Sequence, residues 1–383
     1  MLAAYLGWML DAFDFFTVIF LVGPLAAEFG VEKSAIVLTL TATLAMRPVG
    51  AFLFGLFADR YGRRNALMAN VLGYSVLALA CGFSTSYAMF FGLRALFGIT
   101  MGGEWGVGAA LALEASSPRR RGLMSGILQS GYPCGYLLAA LAAHFLLPVA
   151  GWRAMFWVGG APALLALYVR SRVPESAVWR RRHAGGVREI LASLRREGRH
   201  FLYLVLLMTM MMFLSHGTQD LYPDFLHSVH KLTPATVSLI AILYSLAAIA
   251  GSAFFGQLSE LHGRRRGMIA ALLLALAALP FWAYGGNLVT LAAGAMLMQA
   301  GVQGAWGVIP AHLNELAPAS ARSLIPGLAY QLGILIAAPT NTLEYALQSR
   351  VGYRAALAGF ELAVIAGCML AIAGSRERRG IAL

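Results

Sequence analysis

The chain has 383 residues, of which 59% are hydrophobic and only 12% charged, with a mean hydropathy of +0.71; soluble domains carry about 25% charged residues. That composition excludes a soluble globular protein and puts most of the chain in a bilayer. A formal net charge of +12 would suit nucleic acid in a soluble protein, but here the arginines stand at the ends of apolar runs, which argues against that partner.

Apolar runs long enough to cross a hydrocarbon core of ~30 Å as helices recur along the whole chain. They predict an all-α membrane protein with spans at 4–28, 34–58, 65–83, 87–113, 122–147, 152–170, 201–226, 235–258, 267–285, 288–313, 322–347 and 353–374. The polar segment 171–200, with Arg180 to Arg182 and Arg195-Arg196, is the expected cytoplasmic linker between two six-helix bundles, 1–170 and 201–383. Twelve spans with both termini inside leave only Lys33, Arg153, Lys231, Arg350 and Arg354 outside, with Arg47 and Arg94 inside spans. The remaining basic residues fall on the cytoplasmic face, which fixes the expected orientation. A multi-pass protein of the bacterial inner membrane is the expected location. The first span starts almost at Met1 and is too long and too polar in its middle for a signal peptide; a short tail ahead of this start is allowed for.

The first span carries Asp11 and Asp14 at i and i+3, hence on one face. Asp14 is the deeper, and a carboxyl whose solvation changes as a cavity closes is suited to bind and release a proton. A helix-end cap for Asp11 and a permanent ion pair for Asp14 are the alternatives. In the second span Arg47 lies 12 residues before Asp59, roughly 18 Å along a helix and near the bilayer centre. A charge there costs at least ~2.5 kcal/mol and normally faces a cavity or a partner. Its planar fork suits a substrate carboxylate; a structural pair with Asp11 or Asp14 is the alternative.

The fourth span reads Arg94-x-x-x-Gly98-x-x-x-Gly102-x-x-x-Gly106, a stripe of small residues suited to close helix packing. Glu104 is a further candidate for proton handling. Cys81, Cys134 and Cys368 lie singly in apolar helices and predict no disulfide framework. In the seventh span His216, Gln219 and Asp220 share a wet face, and Pro223 is expected to break the helix just beyond it. His144, His312 and Glu315 lie late in their helices and read as packing or helix-end residues. No Walker loop, HExxH or ligand-spaced Cys/His cluster is present, so no catalytic residue, metal or cofactor is expected.

A single offset of 201 residues aligns the halves. Gly55, Asp59, Gly62, Arg63 and Arg64 fall on Gly256, Glu260, Gly263, Arg264 and Arg265; Trp105 falls on Trp306, Glu114 on Glu315, Arg121 on Arg322, and Gly151 on Gly352. Parallel six-helix repeats are a transporter architecture, with the substrate held at the repeat interface near the midplane.

The Gly55-x-x-x-Asp59-Arg60-x-Gly62-Arg63-Arg64 loop between the second and third spans, with its weaker copy at Gly256, Glu260, Gly263 and Arg264, resembles the signature loop of the major facilitator superfamily. That resemblance implies the twelve-helix, pseudo-symmetric fold, a conformational role for the loop and a part in coupling for Arg94, for which a structural ion pair is the alternative. The stretch Ser215-His216-Gly217-Thr218-Gln219-Asp220 resembles the seventh-helix signature of the sialate:proton symporter group, which includes fungal lactate and pyruvate permeases and bacterial sialic-acid permeases. It departs from that pattern at Met212, where the group has asparagine, and at Asp224, where it has threonine. The Arg47-Pro-Val-Gly-Ala context resembles the substrate arginine of the lactate permeases, and Gln331-Leu-Gly their eleventh-helix motif, with Ile334 in place of its asparagine.

The expected function is import of a small carboxylate, lactate- or pyruvate-like or a sialic acid, by proton symport with alternating access. Arg47, His216, Gln219 and Gln331 are the expected substrate contacts, and Asp14, Asp220, Arg94 and Glu104 the coupling residues. The expected working unit is a monomer, with no nucleic-acid partner. Transport of aromatic or sugar acids, metabolite or drug efflux, and a non-transporting membrane sensor are the alternatives.

Overall fold

The structure, a computed structural model, describes residues 1–160, 164, 173–181 and 187–381. The distal part of the sixth span, the boundary expected at 170/171, and Arg182 and Gly185-Gly186 of the linker lie outside the described residues. Among the described residues the chain is helical, with no strand and one short 3-10 turn at Ala319–Ala321.

The first span is Leu2–Phe20 continued by Val22–Phe29, the second Lys33–Tyr61, the third Arg63–Gly82 and the fourth Tyr87–Glu114. The fifth is Arg121–Gln129 continued by Gly131–Phe145, and the sixth begins within Leu147–Val158. The second half repeats the scheme: Gly198–Gln219 continued by Tyr222–Ser228, Pro234–His262, Arg264–Tyr284, Leu288–Leu316, Leu324–Ala337 continued by Thr340–Val351, and Tyr353–Ala373. Among the described residues nine helices are long and apolar enough to cross a membrane on their own. The fifth and eleventh spans reach that length only as pairs of shorter helices.

Proline places the breaks. Helices end at Phe20, Gln129 and Gln219, each four residues before Pro24, Pro133 or Pro223. Proline has no N–H to bond the carbonyl one turn back, and its ring crowds that carbonyl. Pro223 accordingly sits in the first turn of the helix that resumes at Tyr222. Side-chain caps start other spans: Ser86 accepts from the Met89 amide, and Asn287 and Thr290 form a reciprocal capping box, each satisfying helix-end donors.

The 201-residue repeat is visible in the backbone. Gly62 (φ 110°, ψ 148°) matches Gly263 (φ 101°, ψ 155°), and Gly151 (φ 74°, ψ 177°) matches Gly352 (φ 84°, ψ 159°). These positive-φ conformations favour glycine, so the four corners that turn one helix into the next are fixed by composition. The glycine stripe of the fourth span does the packing expected of it: a β-carbon at Gly98 or Gly102 would run into the backbone of Thr43 or Arg47, and one at Gly50 into that of Ile99.

The halves close on each other at their Arg-rich ends. Gly122 lies against Gly256, Gly126 against Ser252, and Gly55 against Leu324. Ser252 Oγ donates to the Gly126 carbonyl at 2.9 Å, and the Ala311 amide donates to Ser125 Oγ at 3.0 Å. Toward the opposite ends, Gly131–Phe145 packs mainly on the first span, and Thr340–Val351 packs on the seventh and twelfth spans of its own half.

Candidate functional site

At the interface of the halves, Arg47 is 3% exposed. Its Nε and Nη2 have no hydrogen-bond partner, and among the described residues no carboxylate lies within ion-pairing distance of it. Around it are the acids of the first and fourth spans: Asp11, Asp14 and Glu104 are all essentially fully buried, and every one of their carboxylate oxygens lacks a hydrogen-bond partner. Asp11 is therefore not a helix-end cap; it is a mid-helix carboxylate that shares the field of Arg47 and Arg94. Glu104 lies against Gly7, and Asp14 against Gly159 of the sixth span. Arg94, fully buried, rests over the Phe97 ring at 4.2 Å, and none of its guanidinium nitrogens has a partner.

Aromatic rings from both halves line the same region. Trp8 stacks on Tyr132 with centroids 5.6 Å apart and meets Tyr330 edge-on at 6.1 Å. Phe16 packs against Tyr132 and Tyr136. Tyr330 also lies between the repeat-related pair Trp105 and Trp306, at 4.3 Å and 5.8 Å. The charge of Arg47 is felt at Tyr132, Tyr330 and His216, so one cation addresses residues of both halves.

From the second half, His216 Nδ1 lies 3.1 Å from Asp220 Oδ2, each side chain about one-third exposed. Asn341 of the eleventh span donates to the same oxygen at 3.1 Å. Gln219 turns instead to the tenth span, where its Nε2 donates to Gln299 Oε1 at 2.7 Å. Gln331 Nε2 donates to the Gly102 carbonyl across the halves at 3.2 Å, which leaves its Oε1 without a partner. Gln299, Asn341 and the buried acids Glu344 and Glu361 belong to this region and escaped the sequence reading. Glu361 carries a legible signal, an acid alone in an apolar run.

The signature loops form two repeat-related charge clusters. Asp59 pairs with Arg63 at 2.6 Å, Arg63 with Glu114 at 3.3 Å, and Arg322 of the other half approaches Glu114 at 3.7 Å. At the positions 201 residues on, Glu260 pairs with Arg264 at 2.9 Å, Arg264 with Glu315 at 2.9 Å, and Arg121 of the first half with Glu315 at 3.0 Å. Asp59 also accepts from the Ser323 and Leu324 amides at 3.1 Å, and Glu260 from the Gly122 amide. Glu315, in the last turn of its helix as one of the two expected readings had it, is also an ion-pair centre, while His312 bonds Ser375 Oγ at 2.6 Å. Arg60 stays outside the cluster, over the Tyr61 ring at 5.2 Å.

Glu175 accepts from the Arg63 and Arg64 amides, and Glu377 from the Arg264 and Arg265 amides, so each half sets a carboxylate at the start of its third helix, where the helix dipole favours an anion. Burial pushes the Glu377 carboxyl up, but the backbone donors of Arg265, Arg264 and Arg379 outweigh it and hold the group below its ordinary value.

A model of the Major Facilitator Superfamily matches residues 4–223, more than half of the chain. The chain belongs to that superfamily. A second model, described as sugar (and other) transporter, matches residues 203–373. The chain is 31% identical to a carboxylic acid transporter protein homolog of Saccharomyces cerevisiae (strain ATCC 204508 / S288c) over 90% of its own length, and spans 60% of the yeast protein's length. It is 27% identical to the sialic acid transporter NanX of Escherichia coli (strain K12), over 86% of this chain and 82% of that one. The structure of the proton:xylose symporter XylE superposes with a TM-score of 0.80 at 18% identity, covering 99% of this chain and 96% of the other, and so shares the fold. The protein is a multi-pass membrane transporter of the twelve-helix type, and not an enzyme.

Proposed function

We propose that this transporter imports a small organic acid together with protons by alternating access. The carrying observation is Arg47: a buried guanidinium at the interface of the halves, with two nitrogens unpartnered and aromatic rings around it. A guanidinium is always charged and offers a planar pair of donors to a carboxylate, and leaving it unpaired in a membrane interior is costly. The substrate carboxylate binds Arg47, with His216 and the free oxygen of Gln331 beside it, and Asp14 or Asp220 carries the proton. The names of the yeast and Escherichia coli relatives support the acid class.

The rings of Trp8, Phe16 and Tyr132, with Met212 and Ile334 where the related signatures carry asparagine, favour an acid with a flat or apolar body. A monocarboxylate fits better than a many-hydroxyl sugar acid. The Arg-rich ends face the cytoplasm, as do both termini, by the excess of basic residues there. The protein works as a monomer in a bacterial inner membrane. In this assignment the described conformation is closed toward the cytoplasm.

The test is uptake of labelled lactate into proteoliposomes with and without an inward proton gradient, for the native protein and Arg47→Ala, with protein-free vesicles giving the leak. Gradient-driven uptake that the variant lacks supports the proposal. Uptake that ignores the gradient sinks the symport. No lactate uptake by a folded protein moves the search to benzoate and then to sialic acid.

A further inference from the structure

The second half contains buried acids that substrate binding at Arg47 does not use. Glu361 of the twelfth span is 0% exposed and Glu344 of the eleventh 1% exposed, and none of their four carboxylate oxygens has a hydrogen-bond partner. Glu361 lies against Gly217 of the seventh helix, where a β-carbon would collide with its carboxylate. Glu344 follows Asn341 by one helical turn, and Asn341 holds Asp220. The charge of Asp220 is felt at Glu344, and that of Glu344 at Glu361. The order is therefore Asp220, one-third exposed beside His216, then Glu344, then Glu361 in the interior.

Among the described residues, the titratable groups facing Glu344 and Glu361 are acids, phenols and a thiol, while Asp220 meets His216 and the Asn341 amide, and His216 in turn feels Arg47. Tyr353 bonds Asp224 at 2.9 Å and stands near Glu344, and Cys368 stands near Glu361. Among the described residues no arginine or lysine is among the charges felt at Glu344 or Glu361, in contrast to the first half, where Arg47 and Arg94 share the space of Asp11, Asp14 and Glu104. An unpaired carboxylate away from water is neutralised by a proton rather than tolerated as an ion, and an ionisable group inside a membrane marks a proton or ion path.

We infer that Asp220, Glu344 and Glu361 form a second proton-binding site, loaded through the exposed Asp220–His216 pair and separate from the acids around Arg47. It rests on the proton-symport reading and extends it. The proton enters as Asp220 is protonated, passes to the carboxylate of Glu344 and resides on Glu361, beside the residue that follows His216. Loss of that proton places a negative charge against the seventh helix and so couples the site to the helix carrying His216. A monoanion moving with one proton is electroneutral. With a second proton each cycle carries one net positive charge inward, so the membrane potential becomes a drive.

The experiment is labelled lactate uptake into proteoliposomes under two separate drives, a pH gradient at zero potential and an inside-negative potassium diffusion potential at equal pH. The native protein is expected to respond to both. Glu361→Gln keeps the shape without the titratable group; it is expected to keep uptake down the pH gradient and exchange of internal for external lactate, and to lose at least nine-tenths of the potential-driven uptake. Glu344→Gln is expected to do the same, and serves if the first variant does not fold. Potential-driven uptake unchanged in both variants overturns the second site, as does a native protein that responds to pH alone. A native protein that exchanges lactate but responds to neither drive overturns the symport reading and the second site together.

Discussion

Arg121 of the fifth span donates to Glu315 of the tenth at 3.0 Å across the two halves, and the repeat-related Arg322 stands 3.7 Å from Glu114. Both acid side chains are fully buried, and these two contacts, unlike the pairs within each half, exist only while the Arg-rich ends are together. Separating the ends gives Arg121 and Arg322 to water, while Glu315 and Glu114 keep Arg264 and Arg63 of their own halves.

Glu315→Gln should therefore destabilise the closed arrangement more than the separated one, in which Glu315 loses Arg121 and keeps only Arg264 of its own half. Removing one partner of a buried pair costs about 3 kcal/mol or more, roughly two orders of magnitude in the equilibrium between the two states. Cysteine placed at Tyr136 in a cysteine-free background should lose reactivity toward a membrane-impermeant thiol reagent from the outer side. Unchanged labelling would show that the ion pairs do not hold this state.

Arg47→Lys tests the fork separately from the charge. A charged hydrogen bond is worth about 1.5–3 kcal/mol, so losing the paired geometry should weaken acid binding by about 10- to 100-fold while the variant remains folded. Lactate titration followed by the fluorescence of Trp8 and Trp105 reads this directly, and native affinity in the variant would remove Arg47 from the site.

Gly102→Ala probes how the fourth span positions Arg47. The added methyl meets the Arg47 backbone, and such overpacking costs typically 1–3 kcal/mol. Both the melting temperature in detergent and lactate affinity should fall, because the second helix must move. Gly23→Ala, where a β-carbon meets nothing, should change neither.

Glu377 predicts a pH dependence with a definite sign. Its folded value is held below the ordinary 4.5, so its contribution to stability is full above that value and is lost as pH falls through the lower folded one. Glu377→Gln should melt below the native protein at neutral pH, and the gap should close on acidification. A gap independent of pH would assign the effect to packing.

Much of the fold was legible because a bilayer imposes a simple rule. Each span must be apolar and helical to satisfy its backbone, so spans, the 201-residue repeat and the turns at Gly62 and Gly263 could be read from spacing. Arg47, Asp14 and His216 stood out for the same reason, as polar residues where polarity is expensive. Proline fixed the break after Gln219 through the missing N–H of Pro223, a local property. The mates of these residues were not legible. Asp11 looked like a helix-end cap, Glu315 like a packing or helix-end residue with no hint of Arg264 and Arg121, and nothing along the seventh helix showed that Gln219 meets Gln299 of the tenth span.

The sequence alone determined which residues are too polar for their surroundings, because burial in a membrane depends on runs of neighbours along one helix. Only the tertiary structure decided which of them meet. Arg121 reaches Glu315 across 194 positions, and Glu361 finds Gly217 rather than a cation, because helices far apart in sequence pack side by side through glycine contacts that no single helix reveals.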